Sequence, residues 1–245
     1  WPKYDEKLVD KVFQAWPKDK VIVVHAEGDR IDLAIDLCRK YKNKLHITHI
    51  ATRSDLEKII DAKLLKQNIT CDVTPHHLFL TENDIPYLNG LGVVKPPLAS
   101  QLDADFLWDN LKHIDCIATD HAPHTLAEKK SFDPPTGTPG LETMLPLLLT
   151  SVRKKKTTID ELIRLTNTNP QKIFGLKQEK NTYLEVDLNE GYKIENNNLK
   201  TKCAWSPYAD WKIQGRVKNV FIRGTKVFSE GKILVPQGFG KNIRQ

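Results

Sequence analysis

Apolar positions along this chain follow helical and strand spacings in alternation. Between Asp5 and Ala15, Leu8, Val9, Val12 and Phe13 recur at helical spacing, and Pro17 ends the pattern. Val21-Ile22-Val23-Val24 is a continuous β-branched run that stops at His25-Ala26-Glu27, the signature of a parallel strand covered on both faces. Ile31 to Tyr41 reads as helix and Leu45 to Ile50 as strand. Ser54 is expected to cap a third helix running through Lys66, with Leu56, Ile59, Ile60 and Leu64 turned inward. A strand over Ile69 to Val73 leads to Thr74-Pro75-His76-His77. After a loop rich in Gly and Pro that reaches Ser100, a helix of about ten residues from Asp103 precedes a strand over Ile114 to Thr119.

Four strands separated by helices, each strand ending in polar residues, are what half of a (β/α)8 barrel looks like. A doubly wound sheet has the same pattern. His25, His49 and Asp120 tip the balance, because all three fall at carboxyl ends of different strands, where a barrel carries its site. Beyond the Gly/Pro-rich segment Asp133 to Gly140, a helix is predicted over Leu141 to Val152. Two short ones follow, around Ile159 to Leu165 and Pro170 to Phe174, the latter closed by Gly175. From Tyr183 the period changes to two, with strands over Tyr183 to Leu188, Val217 to Arg223, Lys226 to Ser229 and Lys232 to Val235. The expected organisation is a barrel part over residues 1–176 and a small β-rich module over 177–245, with a soft boundary between Leu176 and Lys180.

Composition narrows the function classes. The net charge of +6 is spread over scattered lysines, with one short run at Arg153 to Lys156, which argues against nucleic acid as a partner. The longest apolar stretches, such as Met144 to Leu149, are far short of the ~20 residues of a membrane helix, and no signal peptide is evident. The cysteines Cys38, Cys71, Cys116 and Cys203 lack CxxC spacing and suit a reducing, cytoplasmic setting. The chain starts at Trp1 without an initiator Met, so it is expected to be a piece of something longer.

The candidate chemistry centres on Ile117-Ala118-Thr119-Asp120-His121-Ala122-Pro123-His124, an apolar run that ends abruptly in a carboxylate and imidazoles. His25, His49 and Asp120 are potential Zn²⁺ ligands: neutral imidazole and carboxylate oxygen suit that ion, and a water on it acquires a pKa near ~7. Asp120 can serve both as ligand and as the base that takes the water's proton. His46 reads as a structural histidine, the pair His76-His77 as a rim element, and Lys95 as a loop lysine.

Several segments together resemble the dihydroorotases of the amidohydrolase superfamily: Val24-His25-Ala26-Glu27, Ile47-Thr48-His49-Ile50, Val73 to Leu80, Ala118 to His124 and Pro139 to Pro146. Thr74-Pro75-His76-His77-Leu78-Phe79-Leu80 and Pro139 to Thr150 look most like the dihydroorotase domain of the animal multifunctional polypeptide, which also carries carbamoyl-phosphate synthetase and aspartate transcarbamoylase. The resemblance implies an α/β chain forming the second half of a TIM-type barrel plus a C-terminal β module, in a cytoplasmic homo-oligomer. The implied reaction is the reversible cyclisation of N-carbamoyl-L-aspartate to L-dihydroorotate. It implies two zinc ions per complete site, with His25 and His49 on the more exposed one and Asp120 on the other as general base. It further implies that Lys95 and His124 grip the substrate carboxylate and that backbone near Thr136 and Gly137 meets the ring.

The chain departs from the family pattern in three ways. The His-x-His of the first strand and the carboxylated lysine of the fourth have no counterpart and would lie before Trp1, so the polypeptide alone is expected neither to close a barrel nor to catalyse. Lys95 stands where animal members carry Arg, which keeps the charge and loses the two-pronged grip on a carboxylate. A third zinc held in animal members partly by Cys and Glu would here meet Thr48 and Asp72, and loss of the thiolate argues against it. Two other readings stand beside this one: a dihydropyrimidinase or hydantoinase-like cyclic amidase, and a non-catalytic scaffold related to dihydropyrimidinase. Lys95 favours a carboxylate-bearing substrate over the first. Retention of His25, His49 and Asp120 argues against the second.

Overall fold

The structure, a computed structural model, describes residues 5–177 and 179–243. The expected domain boundary stretch contains Gln178, and the expected start of the barrel part at Trp1 also lies outside the described residues. The chain forms two units, the first ending at Asp120 and the second beginning at His121.

The first unit alternates helix and strand: α1 (Glu6–Ala15), β1 (Val21–Val24), α2 (Asp29–Tyr41), β2 (Lys44–Ile47), α3 (Arg53–Leu64), β3 (Ile69–Val73), α4 (Pro75–Phe79), α5 (Ile85–Leu88), α6 (Gln101–Asp109) and β4 (Cys116–Ile117). The strands form one parallel sheet in the order β1-β2-β3-β4, with Val21 opposite Lys44, Leu45 opposite Ile69 and Asp72 opposite Cys116. Its core is Ile22, Leu45, Ile47, Cys71 and Val73 on the strands, with Ile31, Leu56, Ile59 and Leu107 from the helices. This is the α/β half barrel that the pattern predicts.

Several local expectations are corrected. β1 is not covered on both faces: it lies at the sheet edge, and Val23 is 53% exposed. Thr52, not Ser54, caps α3, since its hydroxyl accepts from Asp55 N at 3.2 Å while Ser54 already lies within the helix. Leu64 is 74% exposed at the last helical position and Ile60 only half-buried, so the inward face of α3 is carried by Leu56 and Ile59. β4 is two residues long instead of spanning Ile114 to Thr119. Just before it, the Asp115 N–H donates to Cys71 O at 3.0 Å while the Asp115 carboxylate accepts from Cys71 N–H at 2.8 Å and faces Lys63. The supposed loop before Ser100 contains α4, α5 and two 3₁₀ turns.

The second unit contains α7 (Leu126–Lys129), α8 (Met144–Arg153), α9 (Ile159–Ile163) and α10 (Asn169–Phe174), then the antiparallel sheet β5 (Tyr183–Lys193), β6 (Lys212–Ile222), β7 (Thr225–Ser229) and β8 (Lys232–Ile233) in that order. α8 begins at Met144, not Leu141, because Glu142 turns away to accept backbone N–H groups of Lys200 and Thr201 at 2.8 and 2.5 Å. A π turn over Arg164–Thr168 joins α9 to α10, and Gly175 closes α10 at φ 63°. β5 and β6 are each eleven residues long, about twice the predicted length, and tolerate this through two bulges at Glu185/Val186 and Asp187/Gly191. Gly224 and Gly231, both with positive φ, form the turns between β6 and β7 and between β7 and β8.

Candidate metal and acid-base site

The carboxyl ends of β1 and β2 bring two imidazoles together. His25 Nδ1 and His49 Nε2 are 2.7 Å apart, with ring centroids at 4.4 Å and planes at 72°. His49 and Asp120 follow β2 and β4, and both adopt left-handed backbone, at φ 45° and 44°. Non-glycine residues rarely take that conformation, and such strain concentrates at functional sites. His49 is 4% exposed and its Nδ1 is buried with no hydrogen-bond partner. Burial foremost, and then His25, push its pKa down, while Asp120 and Asp72 pull the other way. The neutral imidazole is the form in which a histidine binds metal, and Nε2 is the His49 nitrogen that faces His25. Asp120 itself is exposed.

His49 is set by Asp72 on the neighbouring strand. Asp72 Oδ1 accepts from the His49 backbone N–H at 2.8 Å, and its Oδ2 accepts from Thr48 Oγ1 at 2.8 Å and lies 2.9 Å from His46 Nε2. His46 Nδ1 lies 2.8 Å from Thr70 Oγ1, whose hydroxyl also reaches Leu45 O at 3.3 Å. The two positions raised for a third metal, Thr48 and Asp72, are thus bonded to each other, and both Asp72 oxygens already hold protein donors. His46 has the structural part expected of it.

His77 is likewise tied into the fold. Its Nε2–H donates to Pro96 O at 3.1 Å and its Nδ1 lies 2.9 Å from Thr74 Oγ1, the hydroxyl that caps α4. His76, 2% exposed, has an Nε2 without a partner, and burial, then His77 and His49, hold its pKa well below the ordinary value. Lys95 is exposed and stands 3.8 Å from Glu27 Oε1, which is itself 3.2 Å from His25 Nε2. Sequence reasoning passed over Glu27, though its place two residues after a strand-end histidine is visible in the chain.

In the second unit, His124 Nε2 donates to Thr136 O at 3.0 Å, and the His121 and Thr138 backbones pair. Gly137 has φ +132°, and a Cβ there would stand 2.6 Å from Ala122 Cβ. Sequence reasoning also missed α7. Its signal is the capping box Thr125-Leu126-Ala127-Glu128, in which Thr125 N–H donates to Glu128 Oε2 at 2.8 Å and Glu128 N–H to Thr125 Oγ1 at 3.2 Å.

Among the described residues, no three His, Cys, Asp or Glu side chains gather closely enough to enclose a metal ion. What the chain does contain is chemically suited to one: two converging imidazole nitrogens, the buried one kept neutral, and a carboxylate close enough to act on His49. Among the described residues, no helix is long and apolar enough to cross a membrane.

No family model matches the chain. It is 45% identical over 95% of its length to the multifunctional protein CAD of Squalus acanthias, of which it spans 10%. It is 37% identical over 91% of its length to the dihydroorotase of Pyrococcus furiosus, of which it spans 54%. Among solved structures, the L-hydantoinase (dihydropyrimidinase) of Arthrobacter aurescens superimposes with a TM-score of 0.93 at 24% identity, over 98% of this chain and 65% of that one. The inactive dihydroorotase-like domain of a Chaetomium thermophilum CAD-like multifunctional protein gives a TM-score of 0.80 at 26% identity, over 95% and 65%. The chain thus spans from a tenth to about half of the curated relatives it matches. Over nearly all of its own length, the chain is thus similar in sequence to part of the dihydroorotase and of the multifunctional protein named above.

Proposed function

We propose that this chain supplies the ligand and proton-transfer part of a dihydroorotase site, for reversible interconversion of N-carbamoyl-L-aspartate and L-dihydroorotate. The observation that carries the reading is the meeting of His25 and His49 at 2.7 Å on a rim where His49 and Asp120 share the same strained backbone. His25 and His49 would hold one zinc and Asp120 would reach a second. Zinc bound there supplies Lewis acidity toward the ring amide carbonyl and toward a water.

The protein's own groups do the rest. In the hydrolytic direction Asp120, exposed and at a strand end, takes the proton of the attacking water as the C–O bond forms. It then gives that proton to the ring nitrogen as the C–N bond breaks. Lys95, exposed beside Glu27, is the candidate cation for the substrate carboxylate. From the second unit, His124 and the backbone at Thr136 are assigned substrate contacts on the resemblance alone. The complete site calls for ligands beyond these, in keeping with the segmental match to every relative named above. Linked carbamoyl-phosphate synthetase and aspartate transcarbamoylase activities, a homo-oligomeric state and a cytoplasmic setting belong to the same proposal. The buried free thiols of Cys38, Cys71 and Cys116 agree with a reducing compartment.

The deciding experiment measures zinc content and dihydroorotate hydrolysis of the longest native polypeptide containing this chain, against Asp120→Ala. Two zinc ions per site, and a fall in kcat of about 10²–10⁴-fold in the variant, are expected. Turnover of dihydrouracil or hydantoin without dihydroorotate would move the chain to the cyclic amidases. A non-catalytic role is the second reading, favoured by the likeness to the inactive Chaetomium domain. Absence of both zinc and turnover would establish it.

A further inference from the structure

Lys129 is the most unusual buried group in the second unit. It is the last residue of α7, a four-residue helix, and its side chain has no exposed surface. Its Nζ donates to Pro135 O at 2.7 Å and to Gly137 O at 2.8 Å. The carbonyl between these two, Thr136 O, is taken by His124 Nε2–H. Three successive carbonyls are therefore held by two side chains of one loop. The same loop is closed elsewhere by Ala122 N–H on Thr138 O at 3.1 Å and by Gly140 N–H on His121 Nδ1 at 3.1 Å. Trp205 completes the arrangement from below: its Nε1–H donates to His124 O at 2.8 Å, and Lys129 Nζ stands 5.9 Å from its ring centroid.

Burying an ammonium is costly unless its donors are used. Burial holds Lys129 down to about 8 against an ordinary 10.5. A loop that needed only packing at this point would be served more cheaply by Met. What a lysine adds is two strong donors aimed at carbonyls 135 and 137, which orient the Thr136 peptide between them. Gly137 fits the same design, because a Cβ there would strike Ala122 Cβ and Ala122 O at 2.6 and 2.9 Å.

We propose that Lys129 is a positioning residue for the substrate-contacting segment Thr136–Gly137 and for His124, acting through the Pro135 and Gly137 carbonyls without touching substrate. The inference rests on the reading of His124 and Thr136 as substrate contacts for its kinetic consequence, but not for its structural one.

The test uses the longest native polypeptide with Lys129→Met and Lys129→Arg, read by steady-state kinetics on dihydroorotate and by amide hydrogen exchange. In Lys129→Met, exchange at Ala122 and Gly140 should quicken by about 10–100-fold, and KM should rise by a similar factor with kcat falling less. Exchange at Leu234, whose N–H donates to Val227 O in the β sheet, should stay unchanged and marks the effect as local. Lys129→Arg, which keeps the donors, should recover most of both losses. Unchanged exchange at Ala122 and Gly140 in Lys129→Met overturns the proposal. If Lys129→Met unfolds throughout, Lys129→Arg decides: near-normal exchange and KM support the clamp, and a folded Arg variant as loose as wild type is tight overturns it. Wild type without dihydroorotate turnover would sink the functional reading while the exchange data still judge the clamp.

Discussion

His77 shows how a single buried side chain turns into a measurable property of the protein. Burial above all lowers its pKa to about 4, although its bond to Pro96 O works in the opposite direction. The unfolded chain takes up this proton near pH 6.5 and the folded one only near pH 4. The unfolded state therefore binds more protons across that window, and stability falls as pH falls through it, by about 3 kcal/mol from this group. Urea unfolding between pH 7 and 4 should show His77→Asn losing that part of the acid slope; an unchanged slope would count against the assignment. Asp72 makes a second case at this scale. Its carboxylate anchors the His49 backbone, Thr48 and His46 at once, and Asp72→Ala leaves two buried donors and one half-buried one without it. A destabilisation of about 2–4 kcal/mol in urea is expected. A cost below about 1 kcal/mol would show that these donors find other partners.

At the scale of elements, helix and strand types follow from spacing, and end points follow from contacts far along the chain. The run Val21 to Val24 and the strand Ile69 to Val73 have the ends that spacing predicts. Asp115, next to β4, commits its carboxylate to Lys63 and Cys71, forty-four or more residues away in sequence, and α8 starts late because Glu142 answers Thr201. No local pattern contains those partners. The packing of α8 on β6 gives the third prediction. Gly215 has φ +98°, and a Cβ there would meet Leu149 Cβ at 2.5 Å, while Thr150 Oγ1 accepts from Gln214 N–H at 2.9 Å next to it. Gly215→Ala should cost about 2–3 kcal/mol in thermal or urea unfolding of the second unit, through backbone strain and overpacking together. A loss under about 0.5 kcal/mol would mean that helix and strand can move apart there.

At the scale of the whole molecule, the parallel sheet keeps β1 at its edge, with Val23 53% exposed in an otherwise apolar strand. An open strand edge of that kind is a template for pairing with another chain. Expressed by itself, this polypeptide should self-associate in light scattering, and Val23→Lys should reduce it several-fold. A monodisperse monomer with Val23 intact would contradict the prediction. The alternation of four strands with helices was legible in the chain because each apolar run ended in polar residues and was followed by a helical period, whereas the strand order came from the structure. Also legible was the strand-end placement of His25, His49 and Asp120, since the last apolar residue of each run lies within three positions of it.

Sequence by itself determined the residue types at the rim, the half-barrel pattern and the likeness to dihydroorotases, because these rest on local periodicity and on motifs that stay contiguous in the chain. Tertiary structure alone decided which of those residues meet. It brought His25 Nδ1 onto His49 Nε2, committed Asp72 and Thr48 to each other, and drew Lys129 under the Pro135–Gly137 carbonyls. The physical reason is that a side chain's role is set by the donors, acceptors and water that surround it. Those neighbours come from other strands and turns, whose approach is fixed only when the sheet registers and the loop has closed.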